Sequence, residues 1–334
     1  MFIAKDLSQF KKLFVSKLKN ILSDDELGAY ILVLANSLQD DYLKNELRID
    51  LKNNFNALRK SYLAGSLKAT QDDLNVFEKL LNMDVDDLPV WQSRMEGNWS
   101  IVFNIMRQLR PARASSQVLN SIIQPFDGDK FHFNKPFLKP EILWEGDYAE
   151  KNVRVLYNKF PFSDYHLIIV VSPELNRAQV LDEDMHHFIY SLVQNESETL
   201  PGLGVGFNSL AAGASVNHLH FQGFIQEQDF AIEIMDESIF PLNVSCHTDS
   251  ELAWGEIALL MQNDIAFNCL YLKGKCYIVP RNYQGRVNLP EWLDGAGWID
   301  VAGVMTVSDE KTFNDLGGVA IGQALSLLNV AQNN

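Results

Sequence analysis

"LGVGFNSLAAGASVNHLHFQGFIQ", residues 203–226, decides how the rest of the chain is read. "LGVGFNSL" predicts a strand, "AAGAS" a tight loop and "VNHLHFQGFIQ" a second strand. Side chains alternate between the two faces of a strand. "NHLHFQ" therefore sends His218, His220 and Gln222 one way and Leu219 and Phe221 the other. The apolar pair can face a core while the three polar groups line a cleft. The small residues before them let backbone N–H groups approach an anion. A near-neutral imidazole held there can act as a nucleophile toward phosphorus.

Other readings compete on the same residues. Two histidines at i and i+2 could ligate zinc, but no cysteine or third ligand follows at motif spacing. They could also be core histidines satisfied by neighbours. "GLGVG" fails as a dinucleotide loop, because position 207 is Phe and no helix opens there.

Outward from this stretch, residues 125–225 read as an antiparallel meander with one helix rather than repeated βαβ units. "VRVLYNKFPFSDYHLIIVVSPE" predicts two strands joined by a polar, proline-containing turn, and "LDEDMHHFIYSLVQN" a helix opened by acidic residues. Residues 226–334 repeat the mixed texture. They carry a helix "ELAWGEIALLMQN", a hairpin "FNCLYLKGKCYIVPRN" turning at Gly274, a strand "GWIDVAGVMTV" and a closing helix. Residues 1–88 read as helical, with Leu7, Phe10, Phe14, Leu18 and Ile21 at helical spacing. "SDDE", from Ser23, has capping-box spacing, and "QDDLNVFEKLLNM" is a further candidate helix. This region shows no chemistry and predicts a packing or dimerisation layer. The class is α+β: an N-terminal helical region over 1–88, a catalytic half over 89–225 and a second, smaller α+β half over 226–334.

The composition of the 334 residues is that of a globular protein, and the net charge of −15 argues against a nucleic-acid surface. Arg94, Arg107, Arg110 and Arg113 nevertheless cluster with no lysine among them. The planar fork of arginine suits phosphate oxygens. The three cysteines, Cys246, Cys269 and Cys276, form no C-x-x-C pair or disulfide framework, as in a reducing compartment. Lysines interrupt the N-terminus where a signal peptide needs an apolar core, and no run of about 18 apolar residues exists to span a bilayer. The expectation is a cytoplasmic protein with no membrane partner.

"NHLHFQ" resembles the active-site signature of the histidine-triad superfamily, and its glutamine resembles that of the nucleotidyltransferase branch that includes galactose-1-phosphate uridylyltransferase. The match is closer with the GDP-hexose phosphorylases, over "QPFDGDKFHFNK" (124–135), "GFNSLAAGASVNHLHFQ" (206–222), "NDIAFNCLYLKGKCYIVPR" and "WIDVAGVMTV". The resemblance implies a histidine-triad-like fold and an enzyme that converts a GDP-hexose and inorganic phosphate to hexose 1-phosphate and GDP. His220 would attack the α-phosphorus, giving a nucleotidyl–histidine that phosphate then resolves. The carbonyl of His218 would hold the other ring nitrogen, with the His218 side chain orienting the loop. Gln222 would donate to a phosphate oxygen but cannot supply a proton, which disfavours a simple hydrolase.

Ser215 falls where the branch places a hydroxyl on the phosphate, Gly213 where the backbone approaches it, and Asn208 where a polar residue contacts nucleotide or phosphate. The four arginines are candidates for the diphosphate or incoming phosphate. Tyr165–His166 replaces the usual Gly-His, which leaves the role of His166 open. Phe126, Phe131 and Phe133 are expected in the core, Lys130, Lys135, Lys273 and Lys275 in solvent, and His186 and His187 in structural roles. No metal and no cofactor are implied; a homodimer fits the superfamily. The alternative within the class is a nucleotidyltransferase or a dinucleoside polyphosphate phosphorylase or hydrolase. Outside it stand a nucleotide sensor without chemistry and a metal-binding protein using His218 and His220.

Overall fold

The structure is a computed structural model and describes residues 1–22, 26–109, 119–293 and 295–330. The N-terminal region is four helices. Helix α1 (Leu7–Ile21) starts where the Asp6 side chain accepts from the Gln9 N–H and buries Phe10, Phe14, Leu18 and Ile21. Helix α2 (Leu27–Ser37) is buried on nearly every side, as its continuous apolar run requires. Ser23, Asp24 and Asp25 of the expected capping box lie outside the described residues, and Glu26 makes no side-chain cap. Helix α3 (Asp41–Leu63), inside the region read as helical but not singled out as an element, hides a sparse stripe of Leu43, Leu47, Leu51 and Leu58 among charged residues. Helix α4 (Gln71–Leu80) is the "QDDLNVFEKL" helix, capped by Thr70.

Strands β1 (Gln92–Glu96) and β2 (Trp99–Phe103) form a hairpin. The rest of the chain supplies β3 (Ile142–Tyr148), β4 (Lys151–Tyr157), β5 (Leu167–Val171), α5 (Glu183–Glu196), β6 (Leu203–Asn208), β7 (Phe221–Ile225), α6 (Ala231–Ile234), β8 (Ser245–His247), α7 (Ser250–Gln262), β9 (Ala266–Leu272), β10 (Lys275–Arg281), α8 (Trp298–Ala302), β11 (Val304–Val307), α9 (Glu310–Asp315) and α10 (Gly318–Ser326). Eight strands form one antiparallel sheet in the order β3-β4-β5-β7-β6-β9-β10-β8. The β1–β2 hairpin makes a second, small sheet by adding β11 in parallel. Strands of the two predicted halves, 89–225 and 226–334, lie side by side in the large sheet, because β6 pairs with β9.

One face of the large sheet shares a core with the N-terminal helices: Phe10, Phe14 and Leu32 belong with Val153, Val205 and Phe207. The Tyr157 hydroxyl donates to the Phe14 carbonyl at 2.6 Å, and the Asn36 amide donates to the Asn158 carbonyl at 2.9 Å. Residues 1–88 thus brace the end of β4. The glycines of β6 face the other way. A Cβ on Gly206 would lie 2.3 Å from the Trp298 ring, and Trp298 stacks on Phe224 at 4.6 Å. "GLGVG" is therefore a flat seat for an indole.

Two predicted strands are corrected. "GWIDVAGVMTV" is the helix α8 followed by β11, with Gly303 at φ 106 as the left-handed stop between them. The strand predicted over "VNHLHFQGFIQ" starts only at Phe221. The Leu219 N–H goes to the Arg177 carbonyl at 2.8 Å and the His220 N–H to Gln179 Oε1 at 2.9 Å, so a loop takes the place of a neighbouring strand. No helix among the described residues is long and apolar enough to cross a membrane.

Candidate active site

His220, Gln222, Ser215, Gly213, Asn208 and Arg107 line one cleft of about 280 Å³. Six of the ten predicted site residues are therefore together. His218 is buried behind the cleft and does not line it. Arg110 and Arg113 lie outside the described residues. Arg94 is corrected: it lines no part of the cleft. Its Nε donates to the Phe313 carbonyl at 2.6 Å and Nη2 to the Leu316 carbonyl at 2.6 Å, so it closes the C-terminus of α9.

The His220 imidazole has its tautomer fixed. Nδ1 lies 2.7 Å from the His218 carbonyl oxygen, and a carbonyl only accepts, so the proton sits on Nδ1. Nε2 keeps its lone pair and makes no hydrogen bond among the described residues. Burial pushes the pKa of the ring down to about 4, although the bond to the His218 carbonyl pulls it up. Near pH 7 the ring is neutral. The side chain of Gln179, which sequence reasoning missed, clamps this segment: it accepts from the His220 N–H and donates to the Asn208 and His220 carbonyls at 2.9 and 3.1 Å. Phe133 leans on the ring, with centroids 4.8 Å apart. His218 accepts the Phe133 N–H on Nδ1 at 3.2 Å, and burial holds its pKa at about 4 as well. Because His218 Nδ1 accepts the Phe133 N–H, the proton of the neutral ring sits on Nε2, and His218 presents no free lone pair beside that of His220.

Trp298 sets the polarity of the cleft. Its indole N–H donates to Gln222 Oε1 at 2.7 Å, and its backbone N–H donates to Asn208 Oδ1 at 2.8 Å. Asn268 Nδ2 donates to the same Asn208 oxygen at 2.7 Å. Donors can be met only by carbonyl oxygens, so both amides turn their NH₂ groups away, into the cleft they line. Gln222 and Asn208 are thereby fixed as donors beside the His220 lone pair. The hydroxyl of Ser215, which is exposed in the cleft, joins them.

Gly213 has φ 102, and a Cβ there would lie 3.0 Å from Gly297 Cα. Two backbones nearly touch at that point, so the close approach seen at Gly213 is to another stretch of chain, whereas the expected one was to a phosphate. Fully buried Arg281 donates to the Ala296 carbonyl and ties down the second of them. The expected role of a phosphate subsite suits this rim, with Arg107 and the buried Thr306 as further polar groups in the cleft.

The opposite end of the cleft is apolar, walled by Phe131, Phe137, Leu138, Leu156, Phe160 and Ile168. Phe131 was expected in the core but is 46% exposed, because it stands at the mouth. His166 is fully buried, meets the Phe162 N–H and lies 3.3 Å from the Asn158 amide; it shapes the 158–166 turn rather than the cleft. Tyr165 takes the left-handed φ of 49 at the place where glycine was expected. Its N–H is held by Gln39 Oε1 at 2.6 Å, which links that turn to the helical layer. His186 is buried as a structural residue, bonded to the Tyr271 hydroxyl at 2.9 Å.

Trp298→Phe provides a direct check. The ring stack survives, the Gln222 oxygen loses its donor, and the amide is free to rotate. The expected outcome is a fall in kcat of about 10-fold or more with the fold retained, since one misdirected donor in a closed site costs that much. Steady-state kinetics and a thermal melt separate the two effects; an unchanged kcat contradicts the assignment.

Residues 73–224 match the family model described as "GDPGP1-like, N-terminal domain". GDP-D-glucose phosphorylase 1 of Danio rerio is 38% identical over 136 residues, which is 39% of this chain and 37% of that protein. The Homo sapiens protein of the same name is 30% identical over 131 residues, 36% of this chain and 33% of that one. GDP-L-galactose phosphorylase 2 of Arabidopsis thaliana is 26% identical over 134 residues, 34% and 30% of the two chains. The chain thus spans about a third of the length of these curated relatives. In three dimensions it is similar to the crystal structure of yeast Ap4A phosphorylase Apa2, with a TM-score of 0.54 and 14% identity over 80% of this chain and 97% of that one. That likeness shows an α+β fold shared with that phosphorylase, in agreement with the expected fold class. Residues 73–224 are thus similar to a GDPGP1-like N-terminal domain, and about a third of the chain is similar to GDP-D-glucose and GDP-L-galactose phosphorylases.

Proposed function

We propose that this chain catalyses phosphorolysis of a GDP-hexose through a covalent guanylyl–histidine at His220. The observation that carries the reading is the fixed tautomer: Nδ1–H is held by the His218 carbonyl at 2.7 Å, so Nε2 is a permanent lone pair beside two amide groups fixed as donors. In the first step Nε2 attacks the α-phosphorus. The P–N bond forms as the bond to the bridging oxygen breaks, and hexose 1-phosphate leaves. In the second step a phosphate oxygen attacks the same phosphorus, the P–N bond breaks, and GDP departs with the neutral imidazole restored. Both steps load charge on non-bridging oxygens, where the NH₂ groups of Gln222 and Asn208 and the Ser215 hydroxyl can donate. None of these donors supplies a proton to a leaving alkoxide, and none is needed, because a sugar phosphate is a good leaving group. The relatives named as GDP-hexose phosphorylases support the choice of substrate.

The same reading has small-molecule partners only, on a chain of net charge −15, and is compatible with a homodimer. The free cysteines, two of them buried, suit a cytoplasmic setting. The test is a panel of GDP-, ADP- and UDP-hexoses with and without inorganic phosphate. Release of hexose 1-phosphate from the GDP sugars only when phosphate is present is the expected result. Phosphate-independent release contradicts phosphorolysis, and turnover of a dinucleoside tetraphosphate in place of every sugar nucleotide moves the assignment to that substrate.

A further inference from the structure

Resting on the guanine-nucleotide reading above, we propose that Glu141 selects the base, its carboxylate accepting both the N1–H and the 2-amino hydrogens of guanine. A cross-strand row runs along the cleft: Gln222, Ile168 and Leu156 line it, and Ile142, at a bulge of β3, continues the row beyond them. Gln222 of β7 pairs with Ile168 of β5, Ile168 with Leu156 of β4, and Leu156 with Ile142 of β3. Neighbouring strands lie about 4.8 Å apart, so the row runs roughly 14 Å from the phosphate end to Ile142, and Glu141 stands immediately before it. A nucleotide with its α-phosphorus at His220 has a limited choice of directions, and the two ends differ in kind. Around Gly213 the cleft is lined by Ser215, Arg107, Thr306 and Asp300. Beyond Leu156 it is walled by aromatic and aliphatic groups.

There Phe131 and Phe137, 46% and 64% exposed, stand with ring centroids 6.3 Å apart, and Phe131 meets Phe133 edge-on at 5.7 Å. A flat heterocycle covers such rings and a polyol does not. The base therefore takes the apolar end and the hexose the polar one.

At the apolar end Glu141 is the carboxylate; the other in the cleft, Asp300, accepts the Gly297 N–H at 2.7 Å beside the phosphate rim. The side chain of Glu141 accepts no hydrogen bond among the described residues. Burial raises its pKa to about 7, against the pull of Lys159 and with the added repulsion of Asp73. Lys159 is itself paired with Asp73 at 2.6 Å, so its charge is shared. A half-buried carboxylate without donors costs stability, and a ligand with two adjacent N–H groups removes that cost. Guanine presents that fork. Hypoxanthine lacks the 2-amino group, and adenine presents an acceptor at N1.

The test compares kcat/KM for GDP-, IDP- and ADP-glucose in the parental protein, Glu141→Leu and Glu141→Gln, with thermal melts as the check on folding. The parental protein is expected to favour GDP over ADP by about 10²-fold or more and GDP over IDP by a smaller factor, as sites built to bond a polar edge do. Glu141→Leu brings the three substrates to within about 10-fold of one another, chiefly through KM. Glu141→Gln, whose amide offers one acceptor and one donor, moves the preference toward adenine. Variants that melt normally and keep the parental GDP:IDP:ADP ratios overturn the assignment of Glu141 and leave the phosphorylase reading standing. A parental protein that turns over sugar nucleotides without base preference overturns it too. Failure of the parental protein to turn over any of the three with phosphate overturns both.

Discussion

His220→Asn is expected to lower kcat/KM on a GDP-hexose by at least ~10³-fold while leaving the melting temperature within a few degrees, because it removes the proposed carrier of phosphorus and little else. Asparagine can still donate to the His218 carbonyl and fills much of the space beside Phe133. What it lacks is a basic lone pair. Substrate binding should change little, since the base end and the donors of Gln222, Asn208 and Ser215 are untouched. The loss should therefore be in kcat, and equilibrium binding of GDP measured by calorimetry should stay within a few-fold. A variant that turns over at a tenth of the parental rate or faster shows that phosphorus moves directly between sugar and phosphate. Covalent catalysis at this ring would then be excluded.

The second large effect is on the dependence of stability on pH. Burial holds His186, His218 and His220 each near a pKa of about 4, against 6.5 for a free imidazole. The folded state keeps these rings neutral while the unfolded chain binds protons below pH 6.5. Their contribution is thus complete above 6.5 and is lost as pH falls toward 4. At about 1.4 kcal/mol per pH unit, that interval is worth about 3 kcal/mol for each ring as an upper figure. Two carboxyls work the other way: burial raises Glu141 to about 7 and Asp164 to about 6, so the fold holds their protons more tightly as pH falls.

Three rings against two carboxyls leave a net loss on the order of 3 kcal/mol between pH 6.5 and 4, a large part of the 5–15 kcal/mol typical of a domain. Urea midpoints at pH 7, 5.5 and 4 should fall in that order, and His186→Gln, remote from the cleft, should flatten the slope. Over the same range, kcat/KM of the folded protein should show no ionisation near 6.5 attributable to His220. A midpoint that stays level or rises toward pH 4 contradicts the burial of these rings.

Local signals in the sequence were enough to bring the proposed nucleophile into the cleft. The motif "NHLHFQ" put His220 and Gln222 in one cleft, although the strand alternation expected there failed for His218, since β7 begins only at Phe221; the small residues before them placed Ser215 and Gly213 on its rim. The hairpin at Gly274 and the acid-capped helix α5 are also local and were read correctly. What failed depends on partners distant in the chain. Arg94 belongs to a cluster of arginines in sequence but serves carbonyls some 220 residues away. "WIDVA" alternates well enough for a strand, yet Gly206 leaves a seat for Trp298, and Asp300 bonds the Gly297 N–H to start a helix. Gln179 lies in an unremarkable loop, and its role exists only because β7 begins late. Leu43, Leu47 and Leu51 were spaced for a helix, but the charged residues between them concealed it. Glu141 carried no motif at all; its meaning comes from a row of four strands that only the folded sheet lines up.

The central claim is most directly tested by mixing the protein with GDP-glucose in the absence of phosphate, quenching with denaturant and measuring the intact mass. A mass increase of one guanylyl group, mapped to His220, absent from His220→Asn and discharged as GDP when phosphate is added, is the predicted result. Turnover proceeding at its normal rate in the presence of phosphate with no such adduct at any quench time, or with the adduct on another residue, would contradict it.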